Sequence, residues 1–218
     1  MTHRLAVLIS GSGTNLQAIL DAIDAGSLEA RVTLVLSNRA DAGGLRRASR
    51  AGVDTAVIDH RDYPDRPSFD RAMIRELDAH GADTVVLAGF MRILSSDFVR
   101  HYDGRLINIH PSLLPLHRGL HTHARALEAG DREHGCSIHF VTEELDGGPL
   151  IAQARLPILA NDTPETLSKR VQECEHGLYP EVLRWRAAGR LRLTTQGVAL
   201  DGEILPPQGR QWAPAVSH

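Results

Sequence analysis

A chain of 218 residues, 42% hydrophobic, is long enough for one sizeable core, and its 24 basic and 27 acidic residues leave a formal net charge of -3 without any lysine or arginine block, which argues against a nucleic-acid partner. Cys136 and Cys174 are the only cysteines, far apart and without a C-x-x-C, so a disulfide scaffold is excluded and a reducing cytoplasm is expected. The apolar runs at 5–9 and 85–91 are too short for a signal-peptide core or a bilayer span, and no membrane partner is expected.

The first run, Leu5-Ala-Val-Leu-Ile9, is continuous, the mark of a strand covered on both faces. It leads into Ser10-Gly-Ser-Gly-Thr-Asn15 and then into the helical spacing of Leu16, Ile19, Leu20 and Ile23. A strand, a glycine loop and a helix in this order present free backbone N–H groups at a helix N-terminus, which favour an anion such as phosphate. The dinucleotide fingerprint would need a third glycine at Leu16 and an acid near Ser37-Asn38, and the phosphate loop that ends in Gly-Lys-Ser/Thr is missing. The loop is therefore read as a site for one phosphate group, not for NAD or ATP.

A strand follows at 31–36, a helix at 43–51 closed by Gly52, and a strand at 55–58. The apolar positions Phe69, Met73, Ile74 and Leu77 predict a helix over 68–80 ending at Gly81. Then come a strand at 84–87, a loop at 88–94, a short helix from about 95–97 and a strand at 106–110. This alternation predicts an α/β fold, a Rossmann-like parallel sheet with helices on both faces and ligands at the carboxyl ends of its strands. Further on, a helix at 123–129 and a strand at 135–141 precede the acidic loop 142–148, which is too short for a parallel crossover to the next strand at 150–156. An antiparallel C-terminal extension is expected there. Thr163-Pro164-Glu165 starts a long helix running towards Trp185, and Asp201-Gly202 turns a small hairpin.

Within 106–110 the apolar residues give way to Asn108 and His110, which lie two apart and so share one face of the strand. An amide that can donate to a developing oxyanion and an imidazole that can move a proton near neutral pH suit transfer of an acyl-type carbon. Two other functions stay open on the residues alone. A metal-dependent hydrolase could draw ligands from His110, His117, His121, His123 and Asp146, although an H-x-H in a loop is ordinarily a packing or substrate contact. A non-catalytic sensor of a phosphate ligand would use the glycine loop and leave Asn108, His110 and Asp146 idle.

Five segments in order, Ile9 to Ile19, Val86 to Leu94, Asn108-Ile-His-Pro-Ser-Leu-Leu-Pro115, Gly119-Leu-His-Thr-His123 and Glu144-Leu-Asp-Gly-Gly148, resemble the phosphoribosylglycinamide formyltransferases of purine synthesis, as does the tail at 201–209. The resemblance implies transfer of the formyl group of 10-formyltetrahydrofolate to the amine of glycinamide ribonucleotide, with no metal. It implies catalysis by Asn108, His110 and Asp146 acting on a tetrahedral intermediate. Asn108 would donate to its oxygen, His110 would act as acid or imidazolium, and Asp146 would keep that imidazole charged when needed.

It further implies that Gly13, Thr14, Asn15, Gln172 and Glu175 hold the ribonucleotide; without it, Gln172 and Glu175 read as a solvated helix face. The implied folate positions are Arg66, Met91, Arg92, Ile93, Leu94, Asn108, and the segment Phe140, Val141, Thr142, Glu143, Glu144, Leu145 and Asp146. Small-molecule partners and a monomer or homodimer are expected. So is a single domain over 1–218, with a phosphate-binding half at 1–110 and a catalytic-loop and folate-binding half at 111–218. The chain departs from the family at Leu116-His117-Arg118, where a more aromatic or proline-containing segment is frequent. Arg118-Gly119 is similar to methionyl-tRNA formyltransferases, but their additional carboxyl-terminal domain and basic surface are not expected, nor is the amino-terminal domain of related deformylases.

Overall fold

Strand β1 (His3–Ile9) is continuous in apolar residues because its side chains alternate between two cores, Leu5, Val7 and Ile9 entering one and Ala6 and Leu8 the other. The computed structural model describes residues 2–213; Met1 and residues 214–218, the ends of the expected 1–218 domain, lie outside the described residues. The other strands are β2 (Ala30–Ser37), β3 (Thr55–Val57), β4 (Thr84–Leu87), β5 (Leu106–His110), β6 (Glu133–Phe140), β7 (Leu150–Pro157), β8 (Leu191–Thr194), β9 (Gly197–Leu200), β10 (Glu203–Ile204) and β11 (Arg210–Trp212). An eight-stranded sheet runs in the order β11, β7, β6, β5, β4, β1, β2, β3, and β8, β9 and β10 form a separate three-stranded sheet. From β3 to β5 every pairing is parallel, whereas β6 is antiparallel to both β5 and β7. The chain thus has the expected parallel α/β sheet with an antiparallel extension. It winds outward from β1 to β3 and then restarts at β4 on the other side, which opens a crevice at the carboxyl ends of β1 and β4.

The helices are α1 (Thr14–Asp24), α2 (Gly43–Arg50), α3 (Arg66–Ala79), α4 (Ser96–His101), α5 (Thr122–Glu128) and α6 (Pro164–Ala187). Phe69, Met73 and Leu77 of α3 join Phe98 and Val99 of α4 over one face of the sheet. Leu16 and Ile19 of α1 join Leu167, Val171, Leu178 and Val182 of α6 over the other. Each such side chain contributes about 1.5–3 kcal/mol by leaving water.

Local chemistry sets the helix ends that matter for the site. Asp65 caps α3 by accepting from the Ser68 N–H at 2.7 Å, so the helix begins at Arg66, two residues before the expected Ser68. In α6, Thr163 and Thr166 form a reciprocal capping box, and the Tyr179 hydroxyl reaches the carbonyls of Leu87 and Ile107 at 2.9 and 3.1 Å, which fixes the helix over β4 and β5.

The expected hairpin at Asp201-Gly202 is β9 and β10, joined by β8, which periodicity alone did not predict. Nor did it predict β11, which pairs with β7 and brings the Trp212 indole so close to α6 that a Cβ at Gly177 would meet it at 2.6 Å. No described helix is long and apolar enough to cross a membrane.

Candidate active site

The glycine loop leaves β1 at Ser10 and enters α1 through Gly13, whose φ of 73° is left-handed backbone that glycine adopts without a Cβ penalty. The bare Cα also permits the loop to lie on α2, because a Cβ at Gly13 would come within 2.6 Å of the Gly44 Cα. No side chain caps α1, so the N–H groups of its first turn remain available to an anion. The Ser10 hydroxyl donates to Asn38 Oδ1 at 2.6 Å and accepts from the Met91 N–H at 2.8 Å, tying the loop to the end of β2 and to the 88–94 loop.

Gly13, Thr14 and Asn15 share a cleft of about 540 Å³ with Gln172 and Glu175 of α6. Gln172 is exposed and Glu175 is buried, so only the first sits on the solvated face that periodicity suggests. Asn15 Nδ2 donates to Glu175 Oε2 at 2.9 Å, and Asn15 Oδ1 is buried without a partner among the described residues. Burial pushes the Glu175 carboxyl up to about 7, opposed in part by the hydrogen bond from Asn15.

Asn108 and His110 leave β5 beside a second cleft of about 570 Å³, which Asp146 also lines. Asn108 Nδ2 donates to His139 Nε2 at 3.2 Å, while the His139 Nδ1–H donates to the Phe140 carbonyl at 2.9 Å. This pattern needs a neutral His139, and burial lowers its pKa accordingly. It fixes the amide orientation of Asn108 and leaves one of its N–H groups for a ligand oxygen. The His110 Nε2–H donates to the His117 carbonyl at 3.0 Å, and Nδ1 lies 3.5 Å from Asp146 Oδ2. Asp146, in left-handed backbone with φ 49°, accepts from the Gly119 N–H at 2.9 Å and places its other oxygen 4.0 Å from His139 Nε2.

The same cleft is lined by Arg66, Met91, Arg92, Ile93 and Leu145. Met91, Ile93, Leu120 and Leu145 are large apolar side chains left exposed along it, the usual sign of a surface that binds something. The side chains at the other positions expected to meet the folate turn elsewhere. Leu94 and Val141 pack on the core beneath α3 and α4, Phe140 is fully buried in the opposite core, and Thr142 is half-buried where the loop leaves β6. Glu143 pairs with Arg100 at 3.1 Å, and Glu144 pairs with Arg118. The turn behind them closes only on glycine, since a Cβ at Gly148 would lie 1.8 Å from the Phe140 carbonyl oxygen.

The two clefts share Gly89, Met91, Arg92, Ile109, Pro111 and His123, and so form one continuous crevice. Sequence reasoning missed Asn38, Arg39, His60 and Ser168 in the first cleft, and His139 behind the second. Asn38 could have been found, because it follows the end of β2, where ligands to such sheets gather. His139 could not, because its place opposite Asn108 depends on the antiparallel register of β5 and β6. Among the described residues no group of His, Cys, Asp or Glu is arranged to hold a metal ion; His117 engages Asp131 and His123 engages His134.

The family model described as formyl transferase matches residues 3–183. The chain is 54% identical over 205 residues to the phosphoribosylglycinamide formyltransferase of Escherichia coli (strain K12), across 94% of this chain and 97% of that protein. It is 45% identical over 194 residues to the Homo sapiens trifunctional purine biosynthetic protein adenosine-3, across 89% of this chain and 19% of that much longer protein. The solved structure of the Coxiella burnetii phosphoribosylglycinamide formyltransferase in complex with CHES matches with a TM-score of 0.94 at 52% identity, across 98% of this chain and all 100% of the other.

Proposed function

The chain belongs to the formyl transferase family, among its phosphoribosylglycinamide formyltransferases, and from that premise we propose that it moves the formyl group of 10-formyltetrahydrofolate onto the amine of glycinamide ribonucleotide, giving formylglycinamide ribonucleotide and tetrahydrofolate. The observation that carries the reading is the crevice itself. An anion-binding loop lies at one end and an apolar cleft at the other, with Asn108, His110 and Asp146 along the cleft. Gly13, Thr14 and Asn15 suit the phosphate of the ribonucleotide, and the Glu175 carboxylate suits hydroxyls of its ribose. The apolar walls formed by Met91, Ile93 and Leu145 fit a flat heteroaromatic ring, and Arg66 at the N-terminus of α3 fits a carboxylate.

When bound, the formyl folate supplies the one-carbon unit and the nitrogen that leaves. The chain's residues do the rest. Asn108 donates its remaining N–H to the formyl oxygen as the amine attacks and negative charge grows there. His110, flanked by the His117 carbonyl and the Asp146 carboxylate, handles the proton that the amine loses and the departing nitrogen gains. No net proton is consumed. Asp146 holds the imidazole in place and balances its charge.

The test is a formyl-transfer assay with glycinamide ribonucleotide, run with and without 10-formyltetrahydrofolate. Turnover should require both, and inorganic phosphate should compete with the ribonucleotide and not with the folate. Activity abolished by a chelator and restored by zinc would instead support a metal-dependent hydrolase. Asp146→Asn should keep both KM values nearly intact and cut kcat at least about tenfold, because His110 loses its charged neighbour. Unchanged turnover in that variant would remove Asp146 from the mechanism.

A further inference from the structure

His117 and Asp131 line neither cleft, yet they stand directly behind the catalytic pair. The His117 carbonyl receives the Nε2–H of His110 at 3.0 Å, and two residues on, the Gly119 N–H donates at 2.9 Å to Asp146 Oδ2, the oxygen that faces His110. One short stretch of backbone therefore holds both members of the pair. His117 adopts φ 52°, left-handed backbone that a non-glycine residue keeps only when its surroundings hold it there. Its side chain supplies the hold, with Nε2 at 2.6 Å from Asp131 Oδ2 and the two side chains 12% and 27% exposed. Asp131 in turn stands on fixed scaffold. Its own N–H donates to the Ala126 carbonyl at the end of α5, and the Thr122 hydroxyl ties the start of α5 to the Pro111 carbonyl at 2.6 Å.

We infer that the half-buried His117–Asp131 pair is a positioning device for formyl transfer, setting through residues 117–119 the approach of His110 to Asp146. The inference rests on the reading of the site given above. Without the pair, residue 117 relaxes out of its left-handed conformation, its carbonyl swings off His110, and the imidazole loses its fixed tautomer and angle. Misplacement of a catalytic group by about 1 Å can cost as much as about 100-fold in rate. The binding surfaces would stay as they are, because neither residue lines them.

The experiment compares variants that break the contact, Asp131→Ala and His117→Ala, with variants that keep a hydrogen bond there, Asp131→Asn and His117→Gln, in steady-state formyl transfer. Native enzyme is assayed first. Absence of transfer at that stage would overturn the reading of the site, and the inference with it. With native activity present, each alanine variant should show kcat about tenfold lower and both KM values within about twofold. The amide variants should recover most of that loss, and the double alanine variant should be no worse than either single one. Alanine variants within twofold of native kcat, a loss seen in KM instead of kcat, or amide variants as slow as the alanines would each overturn the inference. If Asp131→Ala fails to fold, His117→Ala decides by the same criteria.

Discussion

Asn108→Ala should lower kcat for formyl transfer about 100- to 1,000-fold with little change in either KM, the typical loss when one donor to a developing oxyanion is removed. The effect is expected to be this large because the amide is oriented before any ligand arrives. One N–H is spent on His139 Nε2, and His139 is itself locked as an acceptor there by its bond to the Phe140 carbonyl. A preorganised donor needs no reorientation as charge develops. The substitution also leaves His139 Nε2 without its donor, at a structural cost of about 1–3 kcal/mol. A thermal midpoint measured beside the kinetics separates that cost from the catalytic one. A folded Asn108→Ala variant with kcat within tenfold of native would remove the oxyanion role.

Glu175→Gln should stabilise the fold at pH 8 by about 3 kcal/mol while weakening binding of the ribonucleotide. In the unfolded chain the carboxyl releases its proton near 4.5, and in the folded protein burial pushes that value up to about 7. Below 4.5 both states hold the proton and pH has no leverage through this group. As pH rises from 4.5 to 7 the unfolded chain releases a proton that the folded protein retains, so stability falls, and above 7 the full penalty is in place. The separation between the two values corresponds to about 3 kcal/mol at about 1.4 kcal/mol per pH unit. Glutamine is neutral throughout and keeps an acceptor for Asn15, so the variant should gain several degrees in Tm at pH 8 and almost nothing at pH 4.5. The KM for the ribonucleotide should rise because a charged acceptor for hydroxyls is gone. An equal change in Tm at both pH values would contradict the buried-charge account.

Local pattern carried much of the fold because its signals are local. The apolar run of β1, the glycine turn at residue 13 and the capped start of α6 each depend on neighbouring residues only. The shared face of Asn108 and His110 is legible for the same reason, since the strand repeat is two. What periodicity could not supply is contact between distant segments. The 3.5 Å approach of Asp146 to His110 is made by the turn of a hairpin whose first strand starts at Glu133, and from the sequence it follows from family resemblance alone. Strands β8 and β11 escape the pattern because Leu-Arg-Leu-Thr alternates over only four residues and Arg-Gln-Trp over fewer, and they become strands only against β9 and β7. Of the segment 140–146 that the resemblance assigns to the folate, Leu145 and Asp146 line the cleft. The segment's side chains diverge because a strand end and a turn send successive residues to different sides, Phe140 into the core and Glu143 and Glu144 to surface arginines.

The hydroxyl of Tyr179 has a wider meaning for how this molecule can be divided. It belongs to the last long helix, yet it closes on carbonyls of β4 and β5, and the same helix sends Glu175 to the glycine loop at the other end of the chain. A cut between residues 110 and 111 would therefore divide a shared core: the first fragment would lose α6 from over α1, β4 and β5, and the second would keep α6 on β6 and β7 but lose β5, the partner of β6, and α1. Any larger polypeptide that borrows this chemistry by gene fusion has to inherit the unit whole.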